Sequence, residues 1–155
     1  MYRLLCKEED ITHGQRMLMD IIDKRKLMEL CRQKGLSFSY TYQVGIGGKT
    51  PPSPMVYTLR DIVHPVLWYY KESESLPEIK EYPADTSDSW NYQDSIGFYN
   101  LQKEAETTSL KEWSLRHGFD YSTIWFIAAG KRPPSYYKIK AFRDIIYPAD
   151  WFYCL

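Results

Sequence analysis

Apolar residues recur at three- and four-residue spacing in short stretches divided by glycine and proline, which predicts a series of short helices. The first opens at Thr12, a capping residue, and sets Met17, Leu18, Ile21 and Ile22 on one face; Gly14 weakens its first turn. A charged break from Asp23 to Lys26 follows, then Leu27, Leu30 and Cys31 mark a second helix that Gly35 stops. A third begins near Ser37, with Thr41 and Val44 inward and Tyr40, Tyr42 and Gln43 outward, and ends at Gly45, Gly47 and Gly48. Lys49-Thr50-Pro51-Pro52 cannot be helical, because each proline removes a donor and restricts the residue before it. Ser53 and Pro54 read as the cap and first turn of a fourth helix, with Val56, Leu59, Ile62 and Val63 on its inner face. Pro65 breaks that helix, and the stretch to Tyr70 predicts a last turn that plugs Leu67 or Trp68 into the core.

The same pattern returns at a fixed offset of 83 residues. Leu110 stands over Leu27, Gly118 over Gly35, Ser122 over Ser39, Gly130 over Gly47 and Pro134 over Pro51. Arg143-Asp144-Ile145 stands over Arg60-Asp61-Ile62, Pro148 over Pro65 and Trp151 over Trp68. Between the copies, residues 72–93 are acidic and hold two prolines. The predicted fold is all-α: two tandem units of about five short helices each, residues 1–71 and 94–155, joined by an acidic connector over 72–93. The first helix of the second unit is placed at Asp94 to Glu106, with Ile96, Tyr99 and Asn100 or Leu101 inward, and it matches residues 11–23 only weakly. The two tryptophans read as core, and the Arg-Asp pairs as ties between the fourth helix and its neighbour.

Within the second unit, LKEWSLRHGFDYSTIWFIAAGKRPPS resembles the helix-turn-helix of phage repressors and their bacterial relatives, the Cro/C1-type or XRE family. The resemblance rests on the turn glycine Gly118, the polar start Ser122-Thr123, the inward pair Ile124 and Ile127, and then Gly130-Lys131-Arg132 and Pro134-Ser135. It implies lambda-repressor-like units and a transcriptional regulator that binds double-stranded DNA, one chain carrying both units as a covalent pseudo-dimer. The implied DNA-binding residues are Ser39, Tyr40, Tyr42, Gln43 and Lys49 in the first unit. In the second they are Ser122, Thr123, Trp125, Phe126, Lys131 and Arg132. The lysines and the arginine lie just past the reading helices, where they reach phosphates, and Ser135 caps the next helix.

Charge changes the picture less than its distribution does. The chain is formally neutral, yet residues 26–71 hold six Lys and Arg against two acids and residues 109–155 hold seven against four. The compensating acids lie in 72–108, nine against two Lys, so the units are basic where phosphate neutralisation needs them to be. With 14 Tyr and 5 Trp, aromatic packing or stacking is expected to matter. The outer face of the second reading helix has no charge between Tyr121 and Ala129 and presents Trp125 and Phe126. Three readings of those rings stay open: packing within or between units, DNA contact, or a protein partner that uses the fold without DNA.

Other chemistry finds little purchase. No nucleophile-and-base pattern, carboxylate pair or glycine-rich phosphate loop emerges, so the chain reads as a non-enzyme without a cofactor; GIGGKT at 45–50 lacks the preceding strand and first glycine of a phosphate loop. Cys6, Cys31 and Cys154 have no metal-ligand spacing and read as free thiols. No apolar run approaches the roughly 18 residues of a membrane span and the N-terminus lacks a secretory core, which places the protein in the cytoplasm without a membrane partner.

Overall fold

A computed structural model describes residues 3–84, 87 and 89–155. Among these residues it is all-helical, with eight α-helices, short 3-10 turns, two isolated β-bridges and no strand. The chain divides into two compact units, Met1–Pro83 and Ala84–Leu155. No described helix is long and apolar enough to cross a membrane.

In the first unit, α1 (His13–Asp23) is capped by the Thr12 hydroxyl, which accepts from the Gln15 amide. Helix α2 (Leu27–Lys34) ends at Gly35, whose φ of 69° is the left-handed conformation that glycine adopts without cost. Helix α3 (Phe38–Gly45) is capped by Ser37, and Thr41 and Val44 turn inward as the alignment with the second unit predicts. Cys31 packs under α3; burial pushes its thiol up, against the opposing hydrogen bond from the Thr41 side chain. Helix α4 (Ser53–Thr58) begins one residue earlier than the Ser-Pro pair suggests. Pro52 takes the capping position, and Ser53 is buried inside the first turn rather than serving as the cap. Lys34 on α2 meets Asp61 beyond α4 at 2.6 Å, while Arg60 donates to the Tyr57 carbonyl and lies 3.8 Å from the centre of its ring, so this Arg-Asp pair ties its segment in place.

The second unit repeats the order: α5 (Ile96–Glu106) capped by Ser95, α6 (Leu110–His117) capped by Ser109 and stopped by left-handed Gly118, α7 (Tyr121–Ala128), and α8 (Tyr136–Phe142) capped by Ser135. The first helices, which match weakly as sequence, are held in the same way in three dimensions. His13 donates its backbone N–H to the Tyr70 carbonyl at 3.1 Å, and Ile96 does the same to Tyr153 at 2.9 Å. Gly14 lies against Trp68 and Gly97 against Trp151, while Leu18 and Leu101 are wholly buried. Each tryptophan sits on a 3-10 turn, Pro65–Tyr69 or Pro148–Phe152, and has no exposed surface. Of the two residues offered as the plug in the first unit, Trp68 fills the core.

Two inward assignments fail. Met17 is 39 % exposed, because the buried face of α1 is Gly14, Gln15, Leu18 and Met19, turned by the need to bring Gly14 onto the indole. Tyr99 is 45 % exposed, and Lys103 one turn on covers its ring.

The acidic stretch 72–93 is partly fastened within each unit. Glu72 donates its amide to the Ile11 carbonyl and pairs with Arg16, and His64 hydrogen-bonds the Lys80 carbonyl. On the other side, the Trp90 indole donates to the Trp151 carbonyl at 2.9 Å and stacks on Phe152. Residues 85, 86 and 88 of this stretch lie outside the described residues.

Candidate nucleic-acid interface

The implied DNA-binding residues gather, in each unit, around the third helix and the loop after it. The loop turns on Gly47 or Gly130, both with positive φ of 88° or 77°. A backbone hydrogen bond then closes it, from Gly48 to the Gln43 carbonyl at 2.8 Å and from Lys131 to the Phe126 carbonyl at 3.0 Å. This closure bends the cationic residues back over the helix.

The consequence is a layer of cations on aromatic rings. Lys49 Nζ lies 5.3 Å from the centre of the Tyr40 ring, Lys131 Nζ lies 5.3 Å from Trp125, and the Arg132 guanidinium lies 4.7 Å from Phe126. All three cations remain exposed. Such contacts contribute about 0.5–1 kcal/mol at exposed sites, enough to bias a flexible side chain toward one place without neutralising it. Trp125 and Phe126 also meet edge to face at 5.3 Å. The aromatic face of α7 is therefore partly covered by charges from its own unit, although Trp125 keeps 40 % of its surface exposed.

The polar residues are more constrained than their types suggest. The Tyr40 hydroxyl donates to the Thr50 carbonyl at 3.4 Å, and the Gln43 amide oxygen lies against Gly48. Ser39 sits exposed in the first turn of α3, and Tyr42 stacks on Phe38 with centroids 6.0 Å apart. On α7, Ser122 and Thr123 both donate their hydroxyls to Asp120, at 3.1 and 2.7 Å, and the Thr123 amide adds a third hydrogen bond. Asp120 is thus the cap of α7, at the position that Ser37 holds on α3.

Those bonds hold the Asp120 carboxyl below its ordinary range, chiefly through the Thr123 hydroxyl, then the Ser122 hydroxyl and the Thr123 amide. A carboxylate depressed in the folded state contributes stability that is complete above its unfolded value and lost as pH falls through the folded value. The first turn of α7 should therefore fray as pH falls below the usual carboxylate range, seen as faster exchange of the Thr123 amide. Asp120→Asn, which keeps an acceptor but does not titrate, should abolish that pH step; an unchanged step would assign it elsewhere.

Sequence reasoning missed the residues that hold the end of α7. Tyr92 donates to the Ile127 carbonyl at 3.0 Å, Gln102 to the Ala128 carbonyl at 2.5 Å, and Gln93 to the Gly130 carbonyl. Burial pushes the Tyr92 phenol above its usual range, partly offset by the Arg132 backbone amide. In the first unit Gln15 donates to Gly45, the residue matching Ala128, at 3.4 Å. A glutamine on the first helix thus serves the same carbonyl in both units, but from different positions in the helix, Gln15 in one and Gln102 in the other. No alignment at one fixed offset reveals that. Phe38 and Tyr121 were also missed, although the offset places these two aromatics over each other.

Among the described residues, no group of His, Cys, Asp and Glu has the makings of a metal site. No model of a known protein family, no curated protein and no solved structure matches the chain.

Proposed function

We propose that the protein is a DNA-binding transcriptional regulator in which α2–α3 and α6–α7 each act as a repressor-like helix-turn-helix, the two units together replacing a homodimer. The observation that carries this reading is the repeated cation–aromatic layer. In both units an exposed cation is set, by a glycine turn and an aromatic ring, just past a short helix whose own outer face carries no charge. A helix of this size fits the major groove of B-DNA, and cations at its flank are placed for phosphates rather than for base edges. Lys49, Lys131 and Arg132 are the phosphate contacts of this reading, and the reading surfaces are Ser39, Tyr40, Tyr42 and Gln43 in the first unit and Ser122, Thr123, Trp125 and Phe126 in the second.

A gel-shift series on genomic DNA fragments across salt concentration tests it. Affinity should fall steeply with salt, and joint replacement of Lys49, Lys131 and Arg132 by Ala should weaken binding to all fragments alike. The same replacement should flatten the log–log slope by about 3, since each phosphate left unneutralised removes about 1. No binding at low salt would defeat the proposal.

That outcome would favour a protein partner. The observation on its side is Asp120, an exposed carboxylate at the N-terminus of α7, where it repels phosphate, on a unit that also exposes Leu115 (69 %) and Trp125.

A further inference from the structure

The third helices of the two units expose the same feature at matching positions. Phe38 and Tyr42 stand one turn apart on α3 and stack, and Tyr121 and Trp125 hold the equivalent places on α7. Phe38, Tyr121 and Trp125 are 42 %, 40 % and 40 % exposed, so neither core needs them as filling. An aromatic ridge kept at the surface twice, at one place in the fold, calls for an occupant.

Its surroundings narrow the choice. In the second unit Lys131 lies over Trp125 of the ridge and Arg132 over the adjacent Phe126, and in the first Lys49 lies over Tyr40 of the same helix, so each helix carries cations that suit a polyanion. Three of the side chains that would read base edges by hydrogen bonds are committed within the protein: Tyr40 to Thr50, and Ser122 and Thr123 to Asp120. The aromatic part of the reading surface has one apolar base feature to contact in the major groove, the C5-methyl group of thymine or 5-methylcytosine.

We propose that the ridges Phe38–Tyr42 and Tyr121–Trp125 contact pyrimidine C5-methyl groups, so that the protein distinguishes thymine from uracil in duplex DNA. This rests on the DNA-binding reading above. Burying one methyl group is worth about fourfold in affinity, and one such contact at each ridge about fifteenfold.

The test uses the full chain with alternating poly(dA-dT) and poly(dA-dU) duplexes of equal length at one low salt concentration, followed by fluorescence anisotropy. The uracil duplex should bind about four- to fifteenfold more weakly. Phe38→Ala and Trp125→Ala should each lower the thymine-to-uracil ratio, and the double variant should bring it near one while circular dichroism shows the helices intact. The ratio cancels any general loss from releasing Lys131, so it isolates the methyl contact. Equal binding of the two duplexes by the unaltered protein, or a full ratio in the double variant, would overturn the ridge assignment and leave DNA binding standing. No binding to either duplex would overturn DNA binding itself.

Discussion

Trp68→Ala should cost the first unit about 3–5 kcal/mol, and Trp151→Ala should cost the second as much. Each indole is wholly buried at the centre of its unit, on a 3-10 turn that closes the chain back onto the first helix. Truncation to Ala leaves a large void that such short helices can fill only by shifting inward, and that shift strains the backbone bonds from His13 to Tyr70 and from Ile96 to Tyr153. A loss of this size is a large share of the 5–15 kcal/mol that holds an ordinary domain folded. Amide hydrogen exchange reads each unit separately. Trp68→Ala should strip protection from Leu18 and spare Leu101, and Trp151→Ala should do the reverse. Full protection at both amides in either variant would show that the indole is not the centre of its core.

Gly14→Ala and Gly97→Ala carry the second-largest effect, and its sign is the informative part. Within a helix, exchange of Gly for Ala ordinarily stabilises by about 1 kcal/mol. Here the added methyl would stand 2.6 Å from Trp68 Cδ2 or Trp151 Cδ2, inside the contact distance of carbon atoms, and the fused ring has no flexible end to yield. Overpacking of this kind costs about 1–3 kcal/mol, which outweighs the helical gain or cancels it. The melting temperature of the affected unit should fall by several degrees, or at the least fail to rise. Combining each change with Trp→Leu at the facing position should shrink the penalty, because the two residues share one contact. A clear rise in melting temperature for either single variant would mean that the helix and the indole stand farther apart.

Much of this architecture can be read from residue types, because helix ends are local chemistry. Thr12, Ser37, Ser109 and Ser135 cap helices where the polar-to-apolar switch places them, and Gly35 and Gly118 stop helices because each next step of chain needs a left-handed residue. The inward pair Thr41 with Val44 follows from the alignment of the two units and Ile124 with Ile127 from the repressor resemblance, and all four are buried. The repeat in the first helices was hard to see because three kept positions, Thr12 over Ser95, Gly14 over Gly97 and Leu18 over Leu101, lie among outer residues that share nothing. For the glycines the cause is the tryptophan 54 positions downstream, and a local comparison does not contain it.

The candidate interface was less legible for a similar reason. Residue types placed Trp125, Phe126, Lys131 and Arg132 in one neighbourhood, but the folding of cations onto rings depends on the path of the loop after Gly130. Asp120, Ser122 and Thr123 are all good capping types within four positions, so the sequence offers no choice among them. The structure makes Asp120 the acceptor and the two hydroxyls its donors. That assignment turns two expected DNA donors into supports for the helix end.

The three side chains that hold the end of α7 have a practical consequence for anyone dissecting the chain. Tyr92 and Gln93 precede the first helix of their unit, in a stretch that composition alone assigns to the acidic connector, yet they hold carbonyls of Ile127 and Gly130 beside the cationic loop. A fragment begun at Asp94 would keep the helices and the buried Trp151 but lose two of the three anchors of its cationic loop, along with the Trp90 lid on Phe152. A fragment begun before Trp90 keeps them all, and only that longer piece is a fair stand-in for the second unit in a binding assay.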